Sequence, residues 1–161
     1  MMRRRLVLIL LAMAAPASAQ TGAIGVYGQW GSFHAKSPRH CYAIAAPIPG
    51  RRVLDEKPFA SVAYWPERRI RAQLHVKLSR EKRPGSAVLL RIDDQIFQLI
   101  AGVRDAWAPD AAADAQIVAA MRTGVEMRIE TRAANGSVVR DSYSLRGAAT
   151  AIDAAAIACS H

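Results

Sequence analysis

The chain has 161 residues, 22 Lys+Arg against 13 Asp+Glu, a formal charge of +9 and two Cys. That length holds one domain with a real core and not two of ordinary size. With 52% apolar and 22% charged residues, a disordered chain is excluded.

Part of the charge belongs to the first segment. Arg3, Arg4 and Arg5 precede an unbroken apolar run from Leu6 to Ala15. Pro16 ends the run, and Ala17-Ser18-Ala19 puts small residues at −3 and −1 of a cleavage site before Gln20. This is the pattern of a secretory signal peptide. The run is too short to span a bilayer, which takes about 20 residues. No Cys follows the cleavage site, so lipoprotein processing is not indicated. The expected organisation is a signal peptide over 1–19 and a single β-rich domain over 20–161. Removing 19 of 161 residues leaves 142. Three Arg and no acid go with them, so +9 becomes +6. No later apolar run reaches spanning length, so the mature chain carries no transmembrane segment. The implied address is the periplasm or cell envelope, which sets nucleic acid aside as a partner.

Cys41 and Cys159 both remain in the mature chain. An even count in an oxidising compartment favours a disulfide tying an early strand to the last helix. The alternative is two separate buried thiols. A zinc site is disfavoured, because the Cys are isolated and no His stands beside a second ligand.

In chain order, residues 24–33 (IGVYGQWGSF) read as one irregular, Gly-rich strand, and His34 to His40 as a polar loop. Cys41 to Ala46 is a short strand stopped by Pro47 and Pro49. Residues 50–58 form a polar loop, and Phe59 to Trp65 a strand ending before Pro66. Arg71 to Leu78 alternates cleanly. Ala72, Leu74, Val76 and Leu78 take one face, and Arg71, Gln73, His75 and Lys77 the other. Such period-2 alternation marks an antiparallel sheet with one wet face. Ser79 to Gly85 is a charged turn. Ala87 to Ile92 and Gln95 to Ala101 read as a hairpin around Asp93-Asp94.

The period then changes. Asp110 is placed to cap a helix in which Ile117, Val118 and Met121 share a face, Asp114 sits near its positive end, and Gly124 stops it. Val125 to Thr131 and Ser137 to Leu145 alternate again around Asn135-Gly136. Parity selects a three-residue loop that pairs Thr131 with Val139, Met127 with Tyr143 and Val125 with Leu145. It leaves Asp141 opposite Ile129. Gly147 opens a last helix, Ala148 to Cys159, with Ala149, Ile152, Ala156 and Cys159 on its apolar face. The expected fold is mainly β: about seven strands in an antiparallel β-sandwich-like domain with two short helices.

Catalytic motifs are absent from the sequence. His34, His40, His75 and His161 stand in no metal spacing, and no GxSxG, P-loop or CxxC occurs; Ser79 and Lys82 have an SxxK spacing but lie in the charged turn. Asp93-Asp94 reads as a turn rather than a carboxylate pair. No cofactor motif is present. The basic residues Arg68, Arg69, Arg71, Lys77, Arg80, Lys82 and Arg83 fall close together, near Trp65 and His75. Such a patch suits lipopolysaccharide, an anionic glycan or an acidic envelope protein. The plain alternative is a solvated face diluted by Glu67 and Glu81.

Gly28-Gln29-Trp30, then Arg39-His40-Cys41-Tyr42-Ala43-Ile44-Ala45 and Pro47, resembles the opening of the invasion-associated locus B family of exported alphaproteobacterial proteins. Leu145-x-Gly147 before an Ala-rich helix is similar to the family's end. The likeness covers most of residues 26–159. Many members carry a further Cys shortly after the Trp, where this chain has Phe33 and His34. That leaves Cys41–Cys159 as the one available bond. The resemblance implies an envelope location and adhesion or binding, with no catalytic residues. The functional expectation is therefore an exported, non-enzymatic binding or interaction module. The alternative is a periplasmic small-molecule binder or a hydrolase of unrecognised type.

Overall fold

A computed structural model describes residues 21–50 and 57–160. The expected signal peptide, residues 51–56 of the polar loop and His161 lie outside the described residues.

The Gly-rich opening is a hairpin and not one strand. β1 (Thr21–Tyr27) pairs antiparallel with β2 (Trp30–Lys36). Gly28 takes a φ of 60°, the left-handed conformation that lets a two-residue turn reverse the chain there. The loop expected over His34 to His40 shrinks to Ser37-Pro38, because β2 continues to Lys36 and β3 (Arg39–Ala45) starts at once. β4 (Phe59–Trp65) and β5 (Ile70–Lys77) follow, joined through a 3-10 turn at Pro66–Arg68. β6 (Val88–Ile92) and β7 (Gln95–Ala101) form the expected hairpin, with Asp93 in the left-handed region at φ 47°. Then come β8 (Asp105–Trp107), α1 (Ala111–Thr123), β9 (Glu126–Arg132), β10 (Val138–Ser144) and α2 (Ala148–Ala158).

Among the described residues, ten antiparallel strands thus form one sheet in the order β1-β2-β3-β4-β5-β8-β7-β6-β9-β10. The mainly β architecture with two helices matches the alternation in the sequence. The eight strand segments read along the sequence become ten because the first divides and because β8 is too short to show a period. The sheet curls so that both halves and both helices share one core. Trp30, Val62 and Leu74 come from one half, Leu90, Met127, Ile129 and Tyr143 from the other, and Ile117, Met121 and Ile152 from the helices.

The two ends of the sheet meet. The Trp30 side chain is fully buried, and its Nε1 donates to the Ser144 carbonyl at 2.9 Å. Gln29 N–H donates to Arg146 O at 3.1 Å, and Ile48 N–H to Ser142 O at 2.7 Å. Gly147, at φ 90°, lets the backbones touch, since a Cβ there would overlap the Tyr27 carbonyl. The register of β9 and β10 is the one parity selects: Thr131 faces Val139 and Met127 faces Tyr143. Leu145 N–H also bonds to Val125 O at 3.0 Å, although Val125 itself is exposed and not inward. Asp141 does lie opposite Ile129, buried, and its Oδ2 accepts the Ser79 amide at 3.0 Å.

The helices line the concave side. Asp110 caps α1 by accepting the Ala113 N–H at 2.8 Å. Asp114 does more than favour the helix dipole. β8 pairs with β5 only over His75 to Lys77, and where it ends the buried Asp114 carboxylate accepts the Leu74 amide at 2.8 Å. Burial holds that carboxyl above its ordinary value. α2 rests on β1, β2 and β3 through Ala148, Ala151, Ile152 and Ala155, and the Ser32 hydroxyl donates to the Ala151 carbonyl. Cys41 and Cys159 form a disulfide with Cα atoms 5.8 Å apart.

Two outcomes follow from these contacts. The disulfide spans a separation of 118 residues, for which loop-closure entropy gives about 4–5 kcal/mol. Replacing both Cys by Ser should lower the unfolding free energy from urea denaturation by an amount of that order, seen as a lower midpoint. An unchanged midpoint contradicts the bond's role. For Asp114, a carboxyl raised on folding gives stability that is complete below its unfolded value near 3.8 and lost as pH rises through the folded value. Asp114→Asn keeps an acceptor for Leu74 and cannot ionise. Its stability relative to wild type should therefore improve as pH climbs from 3.8 through the folded value and then level off, and a gap independent of pH would refute the assignment.

Candidate functional site

The basic residues picked out in the sequence do not form one surface. β5 has eight residues and so spans roughly 23 Å from end to end. Arg68, Arg69 and Arg71 sit at the β4–β5 corner, while Arg80, Lys82 and Arg83 lie beyond the opposite end. Between them, His75 and Lys77 stay on the outer face but have company. His75 Nε2 is 2.8 Å from Asp105 Oδ1, its ring stacks on Trp107 at 5.2 Å, and the ring edge of Phe59 lies at 5.1 Å. Lys77 stands opposite Asp105 in the β5–β8 register.

The far cluster is larger than sequence proximity suggests. Lys82 N–H bonds to Val103 O and Arg83 N–H to Arg132 O, both at 2.8 Å. These contacts bring Arg104 and Arg132 beside Arg80, Lys82 and Arg83. Glu81 offsets one charge through Arg104 at 3.4 Å. Arg80 and Arg140 also line a groove of about 560 Å³ with Ile48 and Asp141. Arg104, Arg132 and Arg140 were invisible as members because strand pairing, not sequence order, gathers them.

The near corner is shaped by a β-bulge. Ala63 pairs with Gln73 but Trp65 with Ile70, so Tyr64 faces both Arg71 and Ala72. Ala72 and Arg69 each have φ 56°, an unusual conformation for residues with a Cβ. The bulge takes Arg71 out of phase with His75 and Lys77. Arg71 lines, with Tyr64, Arg69, Ile70, Ala156 and Cys159, a cavity of about 690 Å³ beside the disulfide. Burial raises the Tyr64 hydroxyl above its usual range, against an opposing pull from Arg122, which donates to it. Arg122 is held in turn by Asp153 of α2 at 2.6 Å.

On the outer side of this corner the aromatic rings form a row. Phe33 stacks on Tyr42 (5.6 Å), Tyr42 on His40 (5.4 Å) and His40 on Trp65 (4.1 Å), with the Arg68 guanidinium 4.9 Å from the Trp65 ring. Burial also raises Tyr42. The Trp65 indole N–H is buried without an acceptor among the described residues.

The remaining titratable groups do not assemble into a catalytic set. His34 pairs with Cys41, whereas His40 pairs with Ala35, so the two rings take opposite faces of the sheet. The Ser61 hydroxyl donates to the His75 backbone carbonyl at 3.4 Å, so no serine–imidazole bond accompanies the His75–Asp105 pair. Asp93 is occupied by the amides of Val125 and Glu126. Among the described residues, no group of three His, Cys, Asp or Glu is placed to hold a metal, and no helix is long and apolar enough to cross a membrane.

The architecture defines the class: a curled, ten-stranded antiparallel sheet with two helices on its concave side and its ends sealed by a buried Trp. It is similar to the crystal structure of invasion associated protein B from Bartonella henselae, with a TM-score of 0.64 and 14% identity. The match covers 85% of this chain and 98% of that one, so the two share their fold over almost the whole of the Bartonella protein. No family model matches the chain, and no curated protein matches it in sequence.

Proposed function

We propose that the protein is an exported, envelope-associated binding module related to the invasion-associated locus B proteins, without enzymatic activity. The observation that carries this reading is the fold shared with invasion associated protein B across nearly its full length. Two features support it. Residues 1–19 have the composition of a cleaved export signal. Arg80, Lys82, Arg83, Arg104 and Arg132 gather at one end of the sheet, with Glu81 as their paired acid. A concentrated cationic end of this kind attracts lipopolysaccharide phosphates, anionic glycans or an acidic envelope protein. The small-molecule alternative has its own support in the cavity beside the disulfide.

Export and binding are tested separately. Expressed in a Gram-negative host, the full chain should be recovered from the periplasmic fraction with Gln20 at its N-terminus. Cytoplasmic retention with residues 1–19 intact would end the export reading. Lys82→Glu with Arg83→Glu should lower the salt concentration that elutes the protein from immobilised heparin or lipopolysaccharide. Elution at an unchanged salt concentration would remove this surface from the proposal.

A further inference from the structure

The geometry points to the cavity at the β4–β5 corner as a binding site for a phosphomonoester carrying an apolar group, held by Arg69 and Arg71. The inference gives the anionic-partner reading a second and distinct site, and it stands on the cavity rather than on export.

Four observations carry it. First, Arg69 and Arg71 have no ion pair or side-chain hydrogen bond among the described residues, a state they share with Arg80 and Arg83 but not with Arg91, Arg122, Arg128 or Arg140, which have carboxylate partners. Second, no carboxylate lines the cavity they share, so their charge is unmatched there. Third, the backbone departs from regular strand to put them there. Left-handed conformations at Arg69 and Ala72, two of the three positive-φ residues other than Gly, flank Arg71. Sparse conformations of this kind gather where a surface is shaped for a ligand. Fourth, the remaining wall is largely apolar: Pro66, Ile70, Ala156 and the Cys159 end of the disulfide, with the Tyr64 ring.

These features select the ligand. Two guanidiniums balance the two charges of a phosphomonoester better than the single charge of a carboxylate, and each offers a planar fork that fits phosphate oxygens. The apolar wall rewards an alkyl or acyl substituent, which inorganic phosphate lacks. The volume, about 690 Å³, lies in the range of small-molecule sites. The same chemistry occurs in a free alkyl phosphate and in a phosphatidic acid headgroup.

The test is amide NMR on the purified protein with its disulfide intact. Hexyl phosphate should shift the Tyr64, Ile70, Ala156 and Ser160 resonances. Inorganic phosphate and hexanoate should bind about tenfold more weakly or worse, each lacking one half of the recognition. Arg69→Gln with Arg71→Gln should weaken hexyl phosphate by about a hundredfold, while Lys82→Glu with Arg83→Glu leaves it unchanged. Both pairs are solvent-accessible side chains, and an unchanged spectrum outside the cavity verifies the fold. Phosphatidic acid vesicles separate the sources. Binding to vesicles that is lost with Arg69 and Arg71 names a lipid headgroup, and binding of hexyl phosphate alone names a free phosphomonoester. Absence of shifts with hexyl phosphate, or shifts indifferent to Arg69 and Arg71, overturns the proposal. Loss of heparin affinity in the Lys82/Arg83 variant tests only the other cationic end, so the two readings fail independently.

Discussion

Trp30 lies buried where the two ends of the sheet meet, with its one polar atom satisfied by the Ser144 carbonyl. A ring this large fills the seam, and its hydrogen bond fixes where β10 stops. Gly147 follows at once, and its left-handed backbone allows contact with Tyr27 that any side chain would block. α2 therefore starts from a point set by the seam and is laid along β1, β2 and β3. Its far end reaches Cys41 through Cys159. The cavity wall formed by Ala156 and Cys159 is thus positioned by a contact at the opposite end of the helix.

Charge is distributed in keeping with that frame. The outer faces of β6, β9 and β10 carry a network in which Glu130 serves Arg91, Arg128 and Arg140. Exposed pairs of this kind add little stability each, but they neutralise that face. Asp105 does the same for the centre of β5. Basic residues without carboxylate partners among the described residues, Arg69 and Arg71 and also Arg80 and Arg83, stand at the two ends of β5. One end borders the groove lined by Arg80 and Arg140, and the other the cavity lined by Arg69 and Arg71.

The legible parts of the sequence were those governed by local periodicity. The β9–β10 register followed from parity alone, the Asp110 cap from residue type and position, and the disulfide from the even Cys count together with an expected oxidising compartment. The departures have equally physical causes. Gly28-Gln29 looked like a continuation because a turn that needs only one left-handed glycine leaves no polar cluster to mark it. β8, three residues long, is defined by its partners rather than its composition. The bulge at Tyr64 moved Arg71 off its expected face because alternation assumes an unbroken ladder. The gathering of Arg104 and Arg132 with Lys82 depends on pairings between distant segments, which no local pattern encodes.

The seam joins residues 114 apart in the chain. A polypeptide emerging from its N-terminus can pair β1 with β2 early, but it cannot seal the sheet until Ser144 and Gly147 exist as neighbours for Tyr27 and Trp30. Closure is thus a late event, in a topology rich in distant pairings that folds slowly compared with helical proteins. Among the described residues, β1 and β10 pair only with β2 and β9 and stand at the two ends of the strand order, so what the seam adds is the joining of the two halves over Trp30 rather than a new ladder. Until that joining, the apolar faces that meet around Trp30 and Tyr143 have no cover from each other.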